Sequence, residues 1–163
     1  MKRKRSFRHA QAGFSLIELL IVVAIIGILA AVAVPKLLKN LETGRESAAM
    51  QTLKTIHNNQ AQYQGTKQRF GTLKELNEAG YLDSNYANGS TVSGYKYTSA
   101  PEVTQDSYCV QATRQASSTA SKDFNVIEDG TIRYVESKTP SPIPHGEGTP
   151  LAGAGAAAGA TAQ

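Results

Sequence analysis

The residue whose type and setting point most directly to chemistry is Glu18. It interrupts an apolar run that opens Gly13-Phe14-Ser15-Leu16-Ile17-Glu18-Leu19-Leu20. A carboxylate inside a segment able to enter a bilayer costs about 2.5 to 3.5 kcal/mol on insertion scales, so its retention calls for a partner. The chemistry is recognition rather than catalysis. Two opposite charges that are each costly in lipid lose much of that cost when paired, and leaving either alone is strongly unfavourable. Such a pair selects axial register, because a neighbour inserted at the wrong height strands both charges. The plainer alternative is a tolerated acid that reaches back to the membrane interface.

The element that must position Glu18 is a membrane-length helix. From Leu19 to Val34 sixteen residues pass without a charged side chain, and with Phe14 to Ile17 the stretch nears the roughly 20 residues that cross a bilayer as helix. Lys2, Arg3, Lys4, Arg5 and Arg8 precede it with no acidic side chain among them. The positive-inside rule keeps that cluster cytoplasmic and sends everything after Pro35 to the outer face. All thirteen acidic residues follow Gly13, against twelve of the seventeen Lys and Arg. The formal net charge of +4 therefore belongs to the leader, and a nucleic-acid function inferred from it fails. A second reading remains open. Ala31-Val32-Ala33 offers a small-residue cleavage site after an apolar core, as in an ordinary secretory signal, which would release a soluble domain beginning at Val34.

Gly13-Phe14-Ser15-Leu16-Ile17-Glu18, followed by an apolar stretch and Pro35, resembles the N-terminal signal of type IV pilins and of the pseudopilins of type II secretion. The resemblance is specific over Met1 to about Asn40. It implies cleavage between Gly13 and Phe14 by a prepilin peptidase, N-methylation of Phe14, and an assembly role in which Glu18 neutralises the N-terminal amine of Phe14 on a neighbouring subunit. The partners it implies are further copies of this chain in a helical filament, other pilins, the peptidase, an inner-membrane assembly platform and membrane lipid. It also implies a loosened helix segment from Gly27 to Pro35, and a location in the inner membrane before export to a pilus or periplasmic pseudopilus.

The residues say how the rest is organised. Past Pro35 the pattern turns amphipathic, with Leu38, Leu41, Ala48, Ala49, Leu53, Ile56 and Tyr63 recurring near multiples of three and four. Lys39, Glu42, Arg45, Glu46 and Lys54 are expected on the water side. Pro35 lacks an amide hydrogen and crowds the Ala31 carbonyl, and Gly27 and Gly44 are further soft spots. Small residues Ala24, Gly27, Ala30, Ala31 and Ala33 let helices approach closely. Thr72-Leu73-Lys74-Glu75 reads as a capping box, with Gly80 ending a short second helix. A loop follows, then strands over 94–99, 107–113 and 124–136, the last folded as a hairpin at Asp129-Gly130. The expected fold class is α+β: a long hydrophobic N-terminal helix packed on a small antiparallel sheet, which is also the family's lollipop architecture. The expected divisions are a leader over 1–13, a membrane and assembly helix over 14–35, its amphipathic continuation over 36–64, a globular sheet region over 65–138, and a Pro-rich then Gly/Ala-rich tail over 139–163. The tail is expected to be mobile or extended and to bury no core.

Other classes are poorly served. Cys109 is the only cysteine, so no intramolecular disulfide forms; this departs from many pilins and puts transfer of their adhesive functions in doubt. Cys109 reads as a small strand residue. His9, His57 and His145 show no spacing for a metal cluster, so no metal site and no cofactor are expected. Asp123, Glu128 and Asp129 are more simply turn acids than calcium ligands. Asn88-Gly89-Ser90 matches a glycosylation triplet that arises easily by chance. No phosphate loop or nucleophile motif appears, which argues against an enzyme. Residues 36–163 balance twelve basic with twelve acidic side chains, which argues against a DNA-uptake pilin. The sequence favours a structural subunit of a type IV pilus, with a type II secretion pseudopilin as the alternative.

Overall fold

The structure is a computed structural model that describes residues 14–116 and 118–151. The leader over 1–13 and the tail over 152–163 lie outside the described residues. The chain divides into two compact units between Leu37 and Leu38. One helix, α1, runs from Leu16 to Lys67 and contains both Pro35 and the change of composition. Its membrane-like part is exposed from Leu16 onward. Within the second unit the side chains that α1 buries are Glu46, Ala49, Leu53, Ile56, Gln60 and Tyr63, alternately three and four residues apart, which keeps them on one stripe. Leu38 and Leu41, expected on that stripe, are exposed.

One expectation about polarity is corrected here. Glu46, expected in water, is 8% exposed, because its position falls on the buried stripe. Its carboxylate accepts from Lys122 Nζ at 3.1 Å and from Ser121 Oγ at 3.3 Å, so the buried charge is paired as it must be. Gln60 is fully buried for the same reason. Its amide donates to the Gly71 carbonyl at 2.5 Å, and its oxygen accepts from the Gly71 N–H at 3.0 Å. One carboxamide thus satisfies both the N–H and the carbonyl of Gly71.

Helix α2 spans Leu73–Glu78 with a reciprocal capping box between Thr72 and Glu75. It ends as the sequence predicts. Gly80 has φ +79°, its N–H donates to Asn77 O, and the Tyr81 N–H donates to Leu76 O, which is the Schellman arrangement. The expected loop after it contains a four-residue helix, α3, over Ser84–Ala87, capped by Asp83.

The sheet has six strands in sequence order, every neighbouring pair antiparallel: β1 Thr91–Val92, β2 Tyr95–Ser99, β3 Cys109–Arg114, β4 Lys122–Ile127, β5 Ile132–Glu136 and β6 Thr149–Pro150. The four central strands are those expected. β1 joins through Ser93 and Gly94, both at positive φ, as a two-residue hairpin turn requires. Tyr95, Tyr97, Tyr108, Val110, Phe124, Val126 and Ile132 form one core with Ala49, Leu53 and Ile56 of α1.

The alternate residues of β3 and β4 face the other side, and there the structure differs from expectation. Ile143 is buried. Gln111 donates to its carbonyl at 2.9 Å, while Asn125 donates to Pro144 O at 2.9 Å. Arg114 and Asp123, both buried, pair at 2.7 Å; Arg114 also donates to Ser137 O, and Asp123 accepts from the Ser141 N–H at 3.1 Å. Residues 137–151 therefore form a strap fixed across the second face of the sheet, instead of the mobile or extended segment expected from 139 onward. Composition missed it because its hold is largely polar: side chains from distant strands satisfy the strap's backbone, Ile143 is its one fully buried apolar side chain among the described residues, and Leu151 packs partly buried against the core.

Candidate assembly site

The N-terminal unit presents its chemistry at the start of α1. Ser15 precedes the helix, and its carbonyl accepts from the N–H groups of Glu18 and Leu19 at 3.1 and 3.2 Å. Phe14, 80% exposed, precedes Ser15. Glu18 lies in the first helical turn, where the partial positive charge of the helix N-terminus favours an anion. Ser15-Leu16-Ile17-Glu18 has the same spacing as Thr72-Leu73-Lys74-Glu75, a match the sequence reading did not use. In the second of these both reciprocal side-chain bonds form. In the first, the Glu18 carboxylate has no hydrogen-bond or ionic partner among the described residues. The anion is left available.

Behind it the helix is apolar on all sides and exposed on all sides. Leu16, Ile17, Leu20, Ile28, Leu29 and Val32 are each more than 60% exposed. By length and composition this is a helix able to cross a membrane. Around Gly27 there is nothing within 4 Å of an added Cβ. Pro35 is accommodated inside the continuous helix. Gly13, the expected residue on the leader side of the cut, is outside the described residues.

Among the described residues the globular unit gathers no comparable chemistry. Asp123 is consumed by Arg114, Asp129 pairs with Arg133 at 2.6 Å, and Glu128 faces His145 at 3.0 Å. The three acids weighed for calcium are thus directed to three different partners, and among the described residues no group of three metal-ligating side chains gathers. His57 Nδ1 lies 2.6 Å from the Tyr108 hydroxyl. Its ring also packs on Gly130, where an added Cβ would stand 2.8 Å from Nε2. This fixes the β4–β5 turn to α1 and explains glycine there. Cys109 is fully buried, and burial pushes its thiol up to about 11, so it is a weakly reactive strand residue. Sequence reasoning missed the pairs Glu46–Lys122 and Arg114–Asp123, since no local spacing signals an ion pair between separate elements.

Comparison with known proteins bears on this arrangement. Residues 8–34 match the family model described as the prokaryotic N-terminal methylation motif. The chain is 40% identical over 79 residues to the type IV major pilin protein PilA of Myxococcus xanthus, an alignment covering 48% of this chain and 35% of that pilin. It is 37% identical over 81 residues to the competence protein ComGC of Halalkalibacterium halodurans, covering 49% of this chain and 78% of that protein. The match therefore spans only about a third of the pilin's length. A methylation motif laid over the apolar start of α1, an α+β arrangement with an antiparallel sheet, and identity across most of a relative agree: the chain belongs to the type IV pilin-like family that carries a prepilin N-terminal methylation motif.

Proposed function

We propose that this chain is a structural subunit of a type IV pilus. The observation that carries the reading is Glu18, an accessible carboxylate with no partner among the described residues, in the first turn of an otherwise uncharged apolar helix. Cleavage between Gly13 and Phe14 creates an ammonium, which methylation leaves basic, four residues before that carboxylate. Within one subunit the pair is held at neighbouring heights on the same helix end. Between subunits offset along a filament, the amine of Phe14 on one meets Glu18 of the next, and two charges that lipid penalises cancel. The exposed apolar surface of the helix supplies the remaining contact, and Ala24, Gly27, Ala30 and Ala31 permit close approach. Gly27 and Pro35 are the positions at which the helix yields when the filament is stretched. Before assembly the helix anchors the subunit in the inner membrane with the globular unit outside. In this reading prepilin peptidase and the assembly platform act on the protein, which itself catalyses nothing.

The alternative reading is a pseudopilin of a type II secretion system. Intact mass and N-terminal sequencing of the membrane-extracted protein test processing: a methylated Phe14 is expected, and a start at Val34 removes Glu18 and the whole proposal. Shearing then separates the two filament readings. Surface filaments composed mainly of this chain support the pilus, whereas retention in the envelope with loss of secretion on deletion supports the pseudopilus.

A further inference from the structure

The Asn88-Gly89-Ser90 triplet acquires a different meaning from its position. We infer that Asn88 is a site of spontaneous deamidation, which adds one negative charge to the globular unit as the protein ages. Asn88 is exposed and caps the C-terminal end of α3, with φ −90° and ψ 7°. Its carboxamide has no hydrogen-bond partner among the described residues, and neither has the N–H of Gly89. The other asparagines of the globular unit whose carboxamides are engaged provide the contrast. Asn59 donates to Tyr81 O at 2.6 Å, Asn77 to Leu82 O at 2.7 Å and Asn125 to Pro144 O at 2.9 Å. Gln60, Glu78 and Val126 follow them, and each side chain crowds the backbone nitrogen that must attack. Only Asn88 is followed by glycine.

The step needs no enzyme and no co-reactant except water. The Gly89 nitrogen gives up its proton to solvent base and attacks Cγ of Asn88; the new N–Cγ bond closes a five-membered imide as the Cγ–Nδ2 bond breaks and ammonia leaves. Water then opens the ring at either carbonyl. Breaking N–Cγ gives aspartate, and breaking the bond to the main-chain carbonyl gives isoaspartate; nothing is oxidised or reduced. Closure requires Asn88 to rotate away from its ψ of 7°, and the local structure makes this inexpensive. α3 is a four-residue helix that buries none of its residues, and such segments lie at the low-stability end of a domain. Gly89 permits backbone conformations closed to other residues. Lys96 lies against it, with Cε 3.1 Å and Nζ 3.7 Å from where a Cβ would stand. Its ammonium favours the anionic nitrogen and the oxyanion on the path, and then the aspartate that results. The isoaspartyl product lengthens the short connection from α3 to β1 by one backbone carbon, which strains the pairing of Thr91–Val92 with β2.

The test is incubation of the purified full-length protein at about pH 8 and about pH 5, followed by peptide mapping and an isoaspartyl-specific methylation assay. Expected is a gain of one mass unit confined to the peptide carrying Asn88, faster at the higher pH, with an acidic shift in isoelectric focusing. Asn88→Gln abolishes both, and Asn77 and Asn125 in the same digest remain unchanged. Modification of Asn77 or Asn125 at the rate of Asn88, or an unchanged Asn88 at the higher pH, overturns the inference.

Discussion

Glu18 and Glu75 each stand three residues after a hydroxyl side chain, and the use made of them is opposite. Glu75 is committed to structure. It accepts from Thr72 N at 2.8 Å and pairs with Arg69 at 2.5 Å. The Arg69 hydrogen bond, followed by that of the Thr72 backbone, holds its carboxyl down at about 2. A carboxyl depressed in the folded state stabilises fully above its unfolded value and loses that contribution as pH falls through the folded one. Stability from this cap is therefore lost between about pH 4.5 and about pH 2. Replacing Glu75 with Gln is expected to cost roughly 1 kcal/mol near neutral pH and to flatten the acid limb of a melting-temperature profile across that window. The Glu18 side chain, in contrast, contributes no bond to its own helix among the described residues. Glu18→Ala is expected to leave folding, membrane insertion and N-terminal processing unchanged while assembled filament disappears. Stranding one member of a buried pair costs about 3 to 5 kcal/mol per contact. Sheared-filament yield beside total membrane-bound protein is the measurement, and normal yield with the variant would end the pairing proposal.

At the scale of elements, α1 changes its role along its length without breaking. The stripe Ala49, Leu53, Ile56, Tyr63 is a sheet-facing core, and Leu53→Ala is expected to cost about 2 to 5 kcal/mol in chemical denaturation. Leu41→Ala, at a position 45% exposed, is expected to fall within about 0.5 kcal/mol of the parent. Gly71 tests the clamp that follows the helix: an added Cβ would stand 2.8 Å from Leu76 Cδ1 and 2.9 Å from Tyr63 Cε1. Gly71→Ala should therefore destabilise by about 1 to 3 kcal/mol. Gly27 is the reverse case, with open space around it, so Gly27→Ala is expected to stabilise the helix by roughly 1 kcal/mol. Single-filament stretching would then require more force if this segment is the yielding one. Much of this was legible beforehand. The apolar run, the capping box and the Gly80 stop are local patterns, and local backbone physics settles them. The register of the buried stripe was read only in part, because Glu46 and Gln60 occupy apolar positions and are tolerated there only by partners far away in sequence.

For the molecule as a whole, the strap over 137–151 is the test of what tertiary structure adds. Its anchor is the buried Arg114–Asp123 pair, which reaches both Ser137 and Ser141. Arg114→Met or Asp123→Asn alone is expected to cost about 3 to 5 kcal/mol, and the double variant less than the two together, since an unpaired buried charge is the main penalty. Limited proteolysis should begin in the strap in either single variant; an equally protected strap would show that Gln111, Asn125 and Ile143 suffice to hold it. The sequence alone determined the apolar start of α1, the placement of one carboxylate within it, and the family that this combination marks, because insertion into lipid and recognition of a short N-terminal signal depend on contiguous residues. It also determined the central strands and their hairpin through alternation and turn residues. Only the tertiary structure decided that a Pro-rich segment covers the second face of the sheet, that Glu46 is an interior charge, and that two short strands complete the sheet at its edges. The first two rest on polar side chains meeting backbone or charge far away in sequence, which no local pattern records; the edge strands rest on backbone pairing of segments too short to show alternation.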